Sequence, residues 1–154
     1  MPHAPSATRS IAVALLTTCM CAPVEAAHVK VADLQYGDFT DDLGASVPLL
    51  LDLYLPTDVA PPFPTIVWLH GGGWLTGSKD GSKGEFLADA GYAVASIDYR
   101  LSPVAPWPAQ IHDCKGAVRW LRAHAAAHQL DPDRIGAWGP SAGGHLAACL
   151  GTMG

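Results

Sequence analysis

An α/β architecture, a mainly parallel sheet with helices on its faces, is the fold this chain predicts, and two observations predict it. Apolar runs of strand length alternate along the sequence with stretches of helical periodicity. Two of those runs lead straight into glycine-bearing turns, one at Gly71-Gly72-Gly73 and one around Ser141, and the second turn is followed by a helix-forming stretch.

Taken in order, residues 29–36 and 47–54 read as strands joined through the turn-rich Asp41-Asp42-Leu43-Gly44, with Leu50, Leu51, Leu53 and Leu55 supplying apolar burial. Residues 65–69 form a third strand, inside the run Pro64-Thr65-Ile66-Val67-Trp68-Leu69. Residues 82–90 read as a helix and 92–98 as a strand. Residues 108–128 read as a long helix, with Pro108 in its first turn and Ile111, Cys114, Val118 and Leu121 on one stripe. Ile135-Gly136-Ala137-Trp138 is then a short apolar run into the second turn.

That second turn, Gly139-Pro140-Ser141-Ala142-Gly143, has the G-x-S-x-G form of a nucleophile elbow in the strand-turn-helix setting such an elbow requires. Holding a serine Oγ over the end of a strand demands a sharp turn, and Gly139 and Gly143 remove side chains that would collide with neighbouring backbone. The helix beginning at Ser141 aims its free N–H groups at the reacting centre, so the N–H of Ala142 would face a developing oxyanion. The pattern is weak alone. It gains weight from His70-Gly71-Gly72-Gly73-Trp74, where a strand runs into three glycines whose bare N–H groups can point at a carbonyl oxygen; a flexible turn begun by a histidine is the plainer alternative.

At these residues the sequence resembles the α/β-hydrolase superfamily, specifically the H-G-G-G carboxylesterases and lipases, hormone-sensitive-lipase-like and bacterial feruloyl-esterase-like enzymes among them. The likeness continues through Asp98-Tyr99-Arg100-Leu101, the segment 105–113 and Asp131-Pro132-Asp133-Arg134-Ile135, covering most of residues 48–154. It implies that Gly72 and Gly73 donate oxyanion N–H groups together with Ala142, that Ser141 is the nucleophile, and that the acid and histidine of the triad follow the serine far downstream. It also implies a sheet in which the elbow strand is central. The expected fold is therefore a partial α/β-hydrolase, ending after the elbow helix, with residues 27–154 as the N-terminal part of the domain.

His145 is the only histidine after the serine, but it lies about one helical turn along, projecting away from Oγ. His70, His112, His124 and His128 precede the serine, and His70 reads as a brace for the glycine loop. Ester hydrolysis through an acyl-enzyme is thus the expected chemistry, with near-inactivity expected of a chain lacking base and acid. An inactive fragment, a secreted binding module that keeps the cleft alone, and a prolyl-oligopeptidase-like peptidase are the alternatives. No cofactor or metal is expected. His124 and His128 have metal-ligand spacing but no third ligand, and Asp98-Tyr99-Arg100 reads as a loop brace more readily than as a substrate contact. Trp74 and Trp107 read equally as pocket wall or core.

Arg9, the apolar stretch 11–21 and Val24-Glu25-Ala26 give residues 1–26 the form of a secretory signal peptide, too short to span a bilayer, so a secreted or periplasmic location without stable membrane insertion is expected. An uncleaved apolar N-terminus on a cytoplasmic protein and a lipoprotein acylated at Cys19 are the alternatives. The leader contains Cys19 and Cys21; Cys114 and Cys149 remain, read as buried thiols on helix faces, with a bridge between them left open. A net charge of −5 without basic runs argues against a nucleic-acid partner. The expected partner is a small-molecule or polysaccharide ester.

Overall fold

A computed structural model of the chain describes residues 28–153. The strands are β1 (His28–Thr40), β2 (Ser46–Pro56), β3 (Phe63–Leu69), β4 (Ala93–Ile97) and β5 (Leu130–Trp138); the helices are α1 (Phe86–Asp89), α2 (Ala109–Ala123) and α3 (Ala142–Thr152). The signal peptide read at 1–26 lies outside the described residues.

One five-stranded sheet runs in the order β1-β2-β4-β3-β5. The parallel part expected from strand-helix alternation is β4-β3-β5, and the hairpin β1-β2 adds an antiparallel flank through β2 and β4. The hairpin closes where expected because the Asp41 carboxylate accepts hydrogen bonds from the backbone N–H groups of Leu43 (2.9 Å) and Ala45 (2.8 Å), an aspartate turn that reverses the chain. β4 is buried at every position, as a strand with helices on both faces should be.

Alternation along β2 divides the core. Leu49, Leu51 and Leu53 join Val67, Leu69, Ile97, Ile111, Cys114, Leu121 and Leu146 beneath α2 and α3. On the opposite face Tyr54, Trp68 and Val94 pack with Ala88 of α1. The helical stripe read from α2 is the buried one: Ile111, Cys114 and Leu121 are buried and Val118 packs against them.

Two elements are shorter than the sequence predicts. The helix expected over 82–90 is a 3₁₀ turn at Lys79–Gly81 followed by the four-residue α1. Gly81 and Gly84 weaken the segment as a helix, and a Cβ at Gly84 would stand 3.1 Å from Trp68 Cε3, so the chain there lies against the sheet instead. The helix expected to reach His128 stops at Ala123, because the chain must turn back into β5. Gln129 takes φ of 59° and its carbonyl accepts from Phe63 N at 2.9 Å, which starts the β5 pairing with β3. No helix among the described residues is long and apolar enough to cross a membrane.

Candidate active site

β3 and β5 are parallel neighbours, with Val67 opposite Ala137 and Trp68 opposite Trp138, so their C-terminal ends release both glycine turns side by side. Crevices at such strand ends are where open α/β sheets bind ligands. The approach is tight: a Cβ at Gly71 would stand 3.1 Å from the Pro140 carbonyl oxygen and 3.6 Å from Ser141 Cβ.

Ser141 caps α3 with φ of 52° and ψ of −120°, a backbone conformation costly for a residue bearing a Cβ. What holds it there is packing of bare backbone on both sides. A Cβ at Gly139 or at Gly143 would come within 2.0 Å of the Leu69 carbonyl oxygen, so glycine alone lets the turn seat against the end of β3. Ser141 is exposed, and its Oγ makes no hydrogen bond among the described residues. The first turn of α3 closes through His145 N donating to Ser141 O at 3.1 Å.

The glycine loop is folded on itself: the Gly72 carbonyl accepts from Leu75 N at 3.0 Å and Thr76 N at 3.2 Å. Gly72 has φ of 106° and Gly73 of 61°, a left-handed path in which a Cβ at Gly72 would strike the Thr76 carbonyl oxygen at 2.2 Å. The backbone N–H groups of Gly72, Gly73 and Ala142 donate to no acceptor among the described residues.

His70 holds the root of that loop. Its imidazole is stacked on Tyr99 with ring centres 4.2 Å apart and planes 9° apart, Nδ1 lies 2.8 Å from Gly71 O, and Tyr99 OH donates to His70 O at 2.8 Å. Burial holds the imidazole pKa below its usual value, so the ring is neutral. The neighbouring Asp98 carboxyl is shifted up, also by burial, while accepting from Lys79 N at 2.7 Å. Arg100 grips Asp113 of α2 through Nη2 at 2.6 Å and Nε at 2.9 Å. Asp98, Tyr99 and Arg100 thus all bind protein groups that fix the loop.

Trp74 and Trp107 are wall. With Ser102, Gln110 and His145 they line a cavity of about 450 Å³ between the glycine loop and the start of α3. His145 stands edge-on to Trp74 at 5.4 Å and tilted to Trp107 at 5.7 Å, with Nε2 3.7 Å from Cys149 Sγ, so its imidazole is engaged away from Ser141. Cys114 is buried, and burial pushes its thiol up to about 12. Cys149, expected buried, is only partly so, and the two thiols are unbridged. His124 and His128 both lie against Trp120, and no group of three or more possible metal ligands occurs among the described residues.

Sequence reasoning missed a charge cluster behind the loop. Lys79 Nζ lies 2.8 Å from Asp33, 3.0 Å from Asp52 and 3.1 Å from Asp80, and Lys30 closes the far side of Asp52 at 2.7 Å. Burial opposes the Lys79 charge, yet the three carboxylates outweigh it and hold its pKa above the usual lysine range. With Ser96 Oγ donating to Lys79 O at 2.7 Å, the cluster nails the end of the glycine loop to the sheet.

Residues 51–154 match the BD-FAE family model, more than half of the chain. This chain belongs to the BD-FAE family. With its relatives and structural neighbours it stands in the α/β-hydrolase carboxylesterase group. It is 40% identical over 104 residues to the carboxylesterase NlhH of Mycobacterium tuberculosis, a match covering 66% of this chain and 33% of that protein. Among solved structures, a truncated carbohydrate esterase from gut microbiota superposes with a TM-score of 0.71 at 36% identity, covering 84% of this chain and 45% of that one. A Pyrobaculum calidifontis esterase gives 0.68 at 31% identity, covering 82% and 39%. This BD-FAE chain spans about a third of the length of its curated relative, 33%.

Proposed function

We propose that Ser141 is the nucleophile of a carboxylic-ester hydrolase and that the N–H groups of Gly72, Gly73 and Ala142 form its oxyanion hole. The observation that carries this reading is the strained backbone of Ser141, locked by Gly139 and Gly143 against Leu69 O at the edge where the glycine loop ends. Strain of this kind persists only where surrounding packing enforces it, and it is concentrated at functional sites.

In the reaction Ser141 Oγ attacks the ester carbonyl carbon, its proton passes to a base, and the carbonyl oxygen takes up negative charge beside the three N–H groups. Collapse expels the alcohol and leaves an acyl-serine, which water cleaves to the acid. Loss of one oxyanion donor typically costs about 10²–10³ in rate. No imidazole among the described residues hydrogen-bonds Ser141, so among those residues the proposed nucleophile and oxyanion donors stand without a base. Removing the base and its orienting acid typically costs on the order of 10⁶ in rate.

The substrate is a small-molecule or polysaccharide ester, in keeping with the carboxylesterase and carbohydrate esterase names of the relatives, met in a secreted or periplasmic compartment in keeping with the leader-like N-terminus. A second reading, an ester-binding module without turnover, is favoured by the cavity of about 450 Å³ that Trp74, Trp107 and His145 line, with no imidazole among the described residues hydrogen-bonded to Ser141. The purified chain is tested with p-nitrophenyl acetate beside Ser141→Ala. A rate far below that of complete esterases fits the base-free site; ordinary esterase turnover abolished by Ser141→Ala would show that a base is present after all.

A further inference from the structure

Gln110, in the first turn of α2, is 2% exposed, and its amide is only half used. Nε2 donates to Ala105 O at 2.8 Å, which fixes the orientation of the amide, since the reverse arrangement would set two carbonyl oxygens against each other. Oε1 accepts from no group among the described residues. The indole nitrogen of Trp74 is also unpaired, but it is sealed off; Gln110 Oε1 is not, so it opens on the cavity of about 450 Å³ that Gln110 lines. A buried carbonyl in this position calls for a donor from outside the protein.

The rest of the lining says what kind of group brings that donor. Trp74, Trp107 and His145 supply three aromatic rings, with the imidazole at 89° to the first indole and 60° to the second. Ser102 completes the wall, and no Asp, Glu, Lys or Arg belongs to it, so the cavity favours a neutral group with apolar faces, which a ring provides. Trp107 is 49% exposed, leaving part of its indole free to take such a ring. Ser102 is exposed and its hydroxyl engages no protein group among the described residues. The walls are preformed: Ser102 N donates to Trp74 O at 2.7 Å, tying the segment before α2 to the glycine loop, and Gln110 itself holds Ala105.

We propose that Gln110 Oε1 is a specificity-determining acceptor that selects esters carrying a ring with a free hydroxyl, the ring lying against Trp107 and Ser102 Oγ serving as a second hydrogen-bond partner. The inference rests on the ester-hydrolase reading. Trp74 follows Gly73 directly and His145 N donates to Ser141 O at 3.1 Å, so the cavity adjoins the glycine loop and the first turn of α3 through these two residues. A ring hydroxyl comes from either of two sources, a sugar or a phenol, and both present the same O–H donor. A site built round such a donor rejects the analogue that lacks it, because the buried acceptor is then left unpaired.

The test is a ligand-observed NMR titration of the untagged 154-residue chain with two pairs of probes, methyl β-D-xylopyranoside against 2-methoxytetrahydropyran and phenol against fluorobenzene. Each pair keeps the ring and removes the O–H donors without adding bulk. In at least one pair the hydroxyl form should bind at least about tenfold more tightly, and the pair that shows this identifies the source. Gln110→Met, similar in volume, should level that pair. A merely structural part for Gln110 would not do so, since loosening the segment at Ala105 weakens both members alike. Trp107→Ala, at a half-exposed position, should weaken both members, and it keeps the test decisive if near-ultraviolet circular dichroism shows the Gln110 variant unfolded. Equal binding within both pairs, no binding of any probe, a preference that survives Gln110→Met in folded protein, or binding untouched by Trp107→Ala overturns the proposal. The titration reads binding alone, whereas covalent labelling reads Ser141, so failure of this inference and failure of the hydrolase reading are told apart.

Discussion

A methyl group at Gly143 would meet the Leu69 carbonyl oxygen at 2.0 Å, whereas one at Gly73 would meet nothing within 4 Å. Both positions are adjacent to the reacting centre, so substitutions there separate close approach from backbone conformation. Gly73→Ala should cost about 1–2 kcal/mol, the strain of a left-handed alanine at φ of 61°. Gly143→Ala should cost about 3 kcal/mol or more, because backbone rather than a flexible side chain must move. Urea unfolding ranks them; equal midpoints and slopes would contradict the packing at the elbow. His70 makes a second residue-level prediction. Its folded pKa lies below the unfolded value of 6.5, so its contribution to stability is fully present above pH 6.5 and is lost as pH falls toward the folded pKa. His128, shifted the same way by burial, adds to the same slope. His70→Gln should flatten the fall in stability below pH 6.5 without removing it; an unchanged slope would mean that His70 is not buried neutral.

Lys79 joins the segment that follows the glycine loop to β1 and β2. Its side chain is 8% exposed and that of Asp52 is 0% exposed. Lys79→Met should therefore leave Asp52 paired with Lys30 alone and cost about 3–5 kcal/mol, the usual penalty for stripping one partner from a buried ion pair. Thermal melts decide this, and a loss below about 1 kcal/mol, the scale of an exposed pair, would place the cluster on the surface. The difference between what was legible and what was not lies at this scale. β3 stood out because a strand buried on both faces is a continuous apolar run, β5 only through its last residues Ile135–Trp138, and the junctions with Gly71 and Gly139 were visible as residue types. The charge cluster gave no signal, since Asp52 interrupts an otherwise apolar run and its partners Lys30, Asp33 and Lys79 are distant in sequence. α1 was overestimated because Lys79 and Gly84 are drawn onto the sheet, a tertiary effect that propensity does not carry. Cys149 was read as buried from its helix alone, and its pairing with His145 depends on how α3 sits beside Trp74 and Trp107.

Across the molecule, β5 has β3 on one side and no strand on the other among the described residues. Its open edge adjoins a groove of about 600 Å³ in which Val118, Ile135, Ala137 and Leu150 supply apolar wall and Arg119 and Arg122 the rim. Trp138 is 44% exposed at the end of this strand. An unpaired edge beside apolar surface invites pairing with another chain. Sedimentation velocity on the chain should thus show association that grows with concentration and is reduced by Ala137→Lys, a charge on the open edge; a strictly monomeric wild type would show the edge to be protected. The whole-molecule reading of an esterase site still turns on one atom, Ser141 Oγ. The most direct test is prolonged incubation of the folded chain with an organophosphate ester, followed by peptide mapping. Slow phosphorylation confined to Ser141 and absent from the urea-unfolded chain is the result expected of a nucleophile prepared by the fold; no label at Ser141, or equal labelling of folded and unfolded chain, would contradict it.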